Sequence, residues 1–203
     1  INPFYMVCYS YNGGETKISA DLSSYMNGYQ DPRREIYGVT STFDESENIT
    51  NGFHGLRVGN EYPIKTGQCY SNVKVEVSSP IMWMNAAEVM FLRAEAALRG
   101  WDTEKTPKAY YEAGIRLSFE QLGAKNVEDY LVSTNTPESY KDPLGTYSFS
   151  GTPSTISVQW KDGNFEESLE RIITQKWIAN FPLGLEAWAE FRRTGYPKLM
   201  GTA

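Results

Sequence analysis

The chain is poor in the residues that most catalytic sites need. Its 203 residues contain one histidine and two cysteines. A single imidazole excludes any two-histidine zinc motif, and a Ser-His-Asp triad would have to be built on His54 alone. His54 lies between Phe53 and Gly55 with no flanking nucleophile signature, so it is not read as catalytic. Cys8 and Cys69 are too few for a disulfide framework or a metal site, which leaves one bridge or two buried thiols. No phosphate-cradling glycine loop is present. No cofactor and no metal is expected. The balance of charge is also wrong for nucleic acid. With a net charge of −6 there is no basic excess to displace counterions from phosphates. The most apolar run, 81–98, is interrupted by Glu88, Arg93 and Glu95, so it is not a membrane span. No basic segment followed by an apolar one opens the chain. Because it begins at Ile1, the start of the protein and any export signal are expected upstream.

What the chain does have is aromatic rings. Its aromatic content is 14%, with 14 Tyr and 5 Trp, against 40% hydrophobic and 22% charged residues overall. Those proportions describe a packed domain large enough for a core. Turn signals crowd residues 1–80: Gly13-Gly14, Asn27-Gly28, Asp31-Pro32, Asn51-Gly52, Gly55, Gly59, Pro63 and Gly67. Between them, Phe4-Tyr5-Met6-Val7-Cys8-Tyr9 and the alternating Val73-Lys74-Val75-Glu76-Val77 read as short strands. This part is expected to be loop-rich and to face a ligand.

From residue 81 the pattern becomes helical. Asn85 caps a helix over 86–99, with Glu88 in the capping-box position and Gly100 as its stop. Thr106 and Pro107 start a second helix that runs over 108–122. The short connection makes these two an antiparallel pair, with small residues such as Ala94, Ala113 and Gly114 between the axes. A short turn is expected at 127–131, then a long Pro/Gly/Ser/Thr-rich loop over 133–157. Asn164, with Glu167 as its box partner, caps a helix over 165–179. A last helix over 185–193 is expected to pair with it.

Other apparent motifs have plainer explanations. Asp162-Gly163-Asn164 lacks the alternating ligands of a calcium loop. Glu88 with Glu95, or Glu166 with Glu167, offers paired acids for glycoside hydrolysis, but capping and the helix dipole already account for them. Asn48-Ile49-Thr50 is a chance glycosylation triplet. The loop aromatics Tyr25, Tyr29, Tyr37, Phe53, Tyr62, Tyr147 and Trp160 remain. Flat rings of this kind stack on sugars. Tyr25, Tyr29, Tyr37 and Trp160 are the candidate ligand-binding residues.

The helical half resembles a known family. Residues 87–101 read A-E-V-x-F-L-x-A-E-A-A-x-R-G-W, followed by Tyr110-Tyr111-Glu112-Ala113-Gly114-Ile115-Arg116 and Ser118-Phe119. Then come Ile172-Ile173-Thr174-Gln175-Lys176-Trp177-Ile178-Ala179, Glu186-Ala187-Trp188 and Arg192-Arg193-Thr194-Gly195-Tyr196-Pro197. In this order they resemble the signatures of SusD/RagB nutrient-binding lipoproteins, and Asp31-Pro32-Arg33 resembles the family's middle region.

The resemblance implies a mainly α fold, in which tetratricopeptide-like helix pairs form an α/α superhelix with long irregular loops and a few short strands. Residues 1–203 would then be a single C-terminal region of a protein about twice as long. Its lipidated cysteine would lie upstream and be neither Cys8 nor Cys69. The implied function is non-catalytic binding of a glycan or other nutrient at the outer membrane. The ligand would pass to a TonB-dependent, SusC-like transporter. A glycoside hydrolase and a purely protein-binding helical repeat are the alternatives. Glu88, Glu95, Gln175, Lys176, Trp177, Trp188, Arg192 and Arg193 of the signature are expected to fix the helices, with both tryptophans buried, rather than touch ligand.

Overall fold

The computed structural model describes residues 1–11, 13–41, 52–61, 69–101 and 103–203. Tyr62, the Asn48-Ile49-Thr50 triplet and the turn signals Asn51, Pro63 and Gly67 lie outside the described residues. The chain divides into two compact units. Unit 1 comprises Ile1–Ile81, Pro137–Pro153 and Met200–Ala203, and unit 2 comprises Met82–Thr136 and Ser154–Leu199. No helix among the described residues is long and apolar enough to cross a membrane.

Unit 1 is more helical than its turn signals suggest. It contains α1 (Pro3–Tyr5) running into a π-helix (Met6–Tyr11), then α2 (Ala20–Gly28) and α3 (Arg34–Tyr37). The strands expected over 4–9 and 73–77 are absent. Among the described residues extended pairing is limited to isolated bridges: Lys17 with Asn72, Ser19 with Leu56, Gly38 with Val73 and Ser41 with Gly52. The core of this unit includes Ile18, Leu22, Tyr25, Met26, Tyr29, Tyr70 and Val73. The middle of the long loop belongs to this unit. Tyr140 donates to the Gly55 carbonyl at 2.7 Å, and Asp142 accepts from the Tyr70 hydroxyl at 2.7 Å and the Tyr147 N–H at 3.1 Å.

Cys8 and Cys69 are both buried free thiols. Burial pushes the Cys69 thiol up to about 11, and it pushes Cys8 up as well, so neither is a ready thiolate.

Unit 2 is helical as the periodicity predicts. It holds α4 (Ala86–Leu98), α5 (Pro107–Leu122), α6 (Val127–Leu131), α7 (Phe165–Ala179) and α8 (Gly184–Thr194). Each expected cap forms. Asn85 accepts from the Ala87 N–H at 2.9 Å, Thr106 from Ala109 at 3.2 Å and Asn164 from Glu166 at 2.8 Å. The return bonds of the two capping boxes are absent among the described residues. Glu88 is drawn instead to Lys176.

Helices α4 and α5 are antiparallel. Met82, just before α4, meets Gln121 near the end of α5, while Arg93 lies over the Tyr110 ring. The axes approach so closely that a β-carbon on Gly114 would sit 2.8 Å from the Phe91 ring, which is why that position has none. Helix α7 closes the core, also antiparallel to α4. Asn85 donates to the Ala179 carbonyl at one end, and Arg99 lies over Phe165 at the other. Phe91, Tyr111, Ile115, Phe119, Ile172 and Ile178 fill the space between the three helices.

One expected pairing changes. Helix α8 does not form a packed apolar hairpin with α7, for none of its residues is buried. Its attachment is ionic.

Candidate functional site: signature network and loop aromatics

The signature residues of unit 2 assemble a charge network across α4, α7 and α8. The Lys176 side chain, 3% exposed, sits 3.2 Å from a carboxylate oxygen of Glu88 and 3.2 Å from one of Glu190. Glu190 also pairs with Arg193 at 2.6 Å. Arg193 grips Glu95 with both terminal nitrogens, each at 2.6 Å. Arg99 reaches the same Glu95 at 2.8 Å. Three carboxylates thus face three cations. Burial pushes the Glu95 carboxyl up, but hydrogen bonds and charge from Arg193 and Arg99 outweigh it and hold the group below the usual range. The Arg193 guanidinium is pushed up by its bonds to Glu95 and then Glu190. Both carboxylates, Glu88 and Glu95, are taken up by ion pairs with the signature cations Lys176 and Arg193.

The other signature residues divide. Gln175 is buried, and its amide donates to the Tyr130 hydroxyl at 3.0 Å, tying α6 to α7. Trp177 is half-buried and Arg192 exposed. Trp188 corrects the expectation of a buried anchor: it is 59% exposed and stacks on Phe191, with ring centroids 6.2 Å apart. An exposed ring has little packing to lose. Trp188→Ala should therefore shift stability by no more than about 0.5 kcal/mol, against the roughly 3–5 kcal/mol of a buried tryptophan. Chemical denaturation of the chain checks this.

The loop candidates divide as well. Tyr25, Tyr29 and Tyr37 are 0%, 2% and 5% exposed inside unit 1. Tyr25 on α2 and Tyr29 at its C-cap, one turn apart, meet edge to face at 5.9 Å. Their surfaces are taken up by packing, and no free face is left for a ligand. Phe53 is buried too. Trp160 differs. It is partly exposed, lies against Tyr111 with centroids 5.3 Å apart, and its indole N–H donates to Asp162 at 2.8 Å. Tyr111 is itself fixed by its hydroxyl on the Val158 carbonyl, at 2.6 Å. The outcome is a fixed indole beside an exposed carboxylate.

Sequence reasoning missed the more exposed rings Trp83, Trp101 and Tyr11. Trp83 and Trp101 flank the cap and the stop of α4, which was the available signal for those two; Tyr11 ends the π-helix.

Antiparallel helices tied together by a charge-locked signature make the described part of unit 2 a tetratricopeptide-like helical scaffold. The SusD-like family, described as "Susd and RagB outer membrane lipoprotein", matches residues 1–203. A SusD homologue from Bacteroides ovatus is 49% identical with a TM-score of 0.90, over 99% of this chain and 43% of its own. A SusD homologue from Bacteroides thetaiotaomicron is 45% identical with a TM-score of 0.89, over 98% of this chain and 42% of its own. A chitin-binding SusD homologue from Flavobacterium johnsoniae is 40% identical with a TM-score of 0.87, over 99% of this chain and 41% of its own. No match was found among the curated proteins. The chain belongs to the SusD/RagB family. It spans less than half the length of these solved relatives.

Proposed function

We propose that residues 1–203 are one region of a non-catalytic, glycan-binding component of an outer-membrane uptake complex. The observation that carries this reading is the likeness to a chitin-binding relative along 99% of the chain, at 40% identity. The pairing of Trp160 with Asp162 supports it chemically. The indole offers an apolar face to the C–H side of a pyranose, and the carboxylate accepts from its hydroxyls. In the whole protein the ligand passes to a TonB-dependent, SusC-like transporter, and a lipid anchor holds the complex at the cell surface. The family's description as an outer-membrane lipoprotein supports that placement.

Calorimetry with chitin and other neutral oligosaccharides tests the reading. Binding is expected, and Trp160→Ala should weaken it several-fold while leaving the denaturation midpoint nearly in place. The bound oligosaccharide should be recovered uncut after prolonged incubation. Release of shorter sugars would favour a hydrolase. Failure to bind any saccharide, with retained affinity for a transporter, would favour a protein-binding module.

A further inference from the structure

Unit 1 opens on a π-helix, Met6–Tyr11, continuing α1. Such turns are rare and are frequently found at functional sites. This one is pinned at three points. Asn2 accepts from the Phe4 and Tyr5 N–H groups, at 2.7 and 3.2 Å, and donates to the Ser79 carbonyl at 2.9 Å. The Tyr9 hydroxyl donates to the Val73 carbonyl. Beyond the helix the chain turns through Gly13 and Gly14, at φ of 58° and 86°, and the Gly14 N–H returns to the Cys8 carbonyl at 3.1 Å.

The pinning sets Tyr5 and Tyr9 side by side, both half-buried, with ring centroids 5.2 Å apart and planes 32° apart. Gly14 lies beside both Tyr9 and Asn72. A β-carbon on Gly14 would lie 3.6 Å from Asn72 Nδ2 and 3.8 Å from the Tyr9 ring. The backbone of Asn72 is fixed by accepting from the Val39 N–H at 2.8 Å. Its side-chain oxygen accepts from the Lys17 ammonium. Among the described residues, no acceptor takes a hydrogen bond from its Nδ2.

We propose that Tyr5, Tyr9, Asn72 and Lys17 form a second saccharide contact, which takes one pyranose ring of a neutral oligosaccharide. The inference rests on the glycan-binding reading above, but it places a contact in unit 1, whereas Trp160 belongs to unit 2. The two tilted tyrosines offer apolar ring surface to a sugar face. Asn72 Nδ2 and the remaining Lys17 N–H groups donate to hydroxyl oxygens at its rim. Gly14 keeps that rim free of a side chain. Because Tyr9, Asn72 and Lys17 are already held by hydrogen bonds, little of their ordering entropy is lost when a sugar lands.

The test is calorimetry on the full chain with chito-, malto-, xylo- and manno-hexaose. It compares the unaltered protein with Tyr5→Ala, Asn72→Ala and Trp160→Ala. Each of the first two substitutions is expected to weaken the best-bound hexaose about three- to tenfold. Should Tyr5→Ala fail to fold, Asn72→Ala, at a half-exposed position, decides the question alone. Unchanged affinity in folded Tyr5 and Asn72 variants, with loss in Trp160→Ala, would overturn this contact and leave the glycan reading standing. No binding of any hexaose by the unaltered chain would overturn both.

Discussion

Asp31→Ala is expected to cost roughly 3–5 kcal/mol, because it removes a bidentate carboxylate partner from a fully buried arginine. Both side chains are 0% exposed, and Arg33 meets Asp31 through Nε at 2.9 Å and a terminal nitrogen at 2.6 Å. The same carboxylate accepts from the Arg33 backbone N–H at 2.9 Å, shaping the turn that enters α3. One substitution therefore removes a bidentate, charge-assisted pair and a turn bond together. Against a total stability of roughly 5–15 kcal/mol this is a large fraction. A urea titration should show a much lower midpoint with an unchanged slope. The double replacement Asp31→Leu with Arg33→Met should recover part of the loss, since an apolar pair carries no desolvation penalty. A midpoint within experimental error of the unaltered chain would mean that this pair does not hold unit 1 together.

Helices α4, α5 and α7 of unit 2 were legible because each has its own local start signal. Asn85, Thr106 with Pro107, and Asn164 gave the first residues of α4, α5 and α7 to within one position. Helix α2 also has a cap, Ser19 accepting from the Leu22 N–H at 3.2 Å, but its sequence, ADLSSYMNG, is rich in weak helix formers, and tertiary packing stabilises it. Every side chain from Ala20 to Met26 is buried, and Ser24 hydrogen-bonds to the Glu138 carbonyl, 114 residues away. That distant partner is invisible to any local pattern.

The same blindness governed the candidate site. A tyrosine beside Asn-Gly or Asp-Pro reads as a loop ring, yet Tyr25 and Tyr29 recur at i, i+4, the spacing of a helix face. That spacing was the clue to their burial. Trp188 failed in the opposite direction. Its place in a helical signature suggested a core anchor, but α8 buries none of its residues. Family motifs mark which residues matter; they do not say what each one touches.

Lys176→Ala should loosen α8 selectively, at a cost of about 3 kcal/mol. Lys176 is the buried cation between Glu88 and Glu190, so its loss leaves two partly buried carboxylates facing each other. Only the Arg193–Glu95 clasp would then join α8 to α4 within the network. Lys176→Met keeps most of the apolar stem and isolates the contribution of the charge. Hydrogen exchange should quicken in α8 more than in α5 in both variants. Equal quickening throughout unit 2 would mean that the network stabilises the whole bundle rather than tethering one helix.

Acid should act on the same clasp with a defined sign. The carboxyl of Glu95 is held below its unfolded value, so its contribution is present above about pH 4.3 and is lost as pH falls through the lowered folded value. Arg193→Ala leaves Glu95 with Arg99 alone, and burial then weighs more heavily. The acid-side fall in stability should accordingly be smaller in that variant, because the gap between the folded and unfolded values of Glu95 narrows. An acid limb of unchanged size would show that Glu95 does not couple α8 to pH.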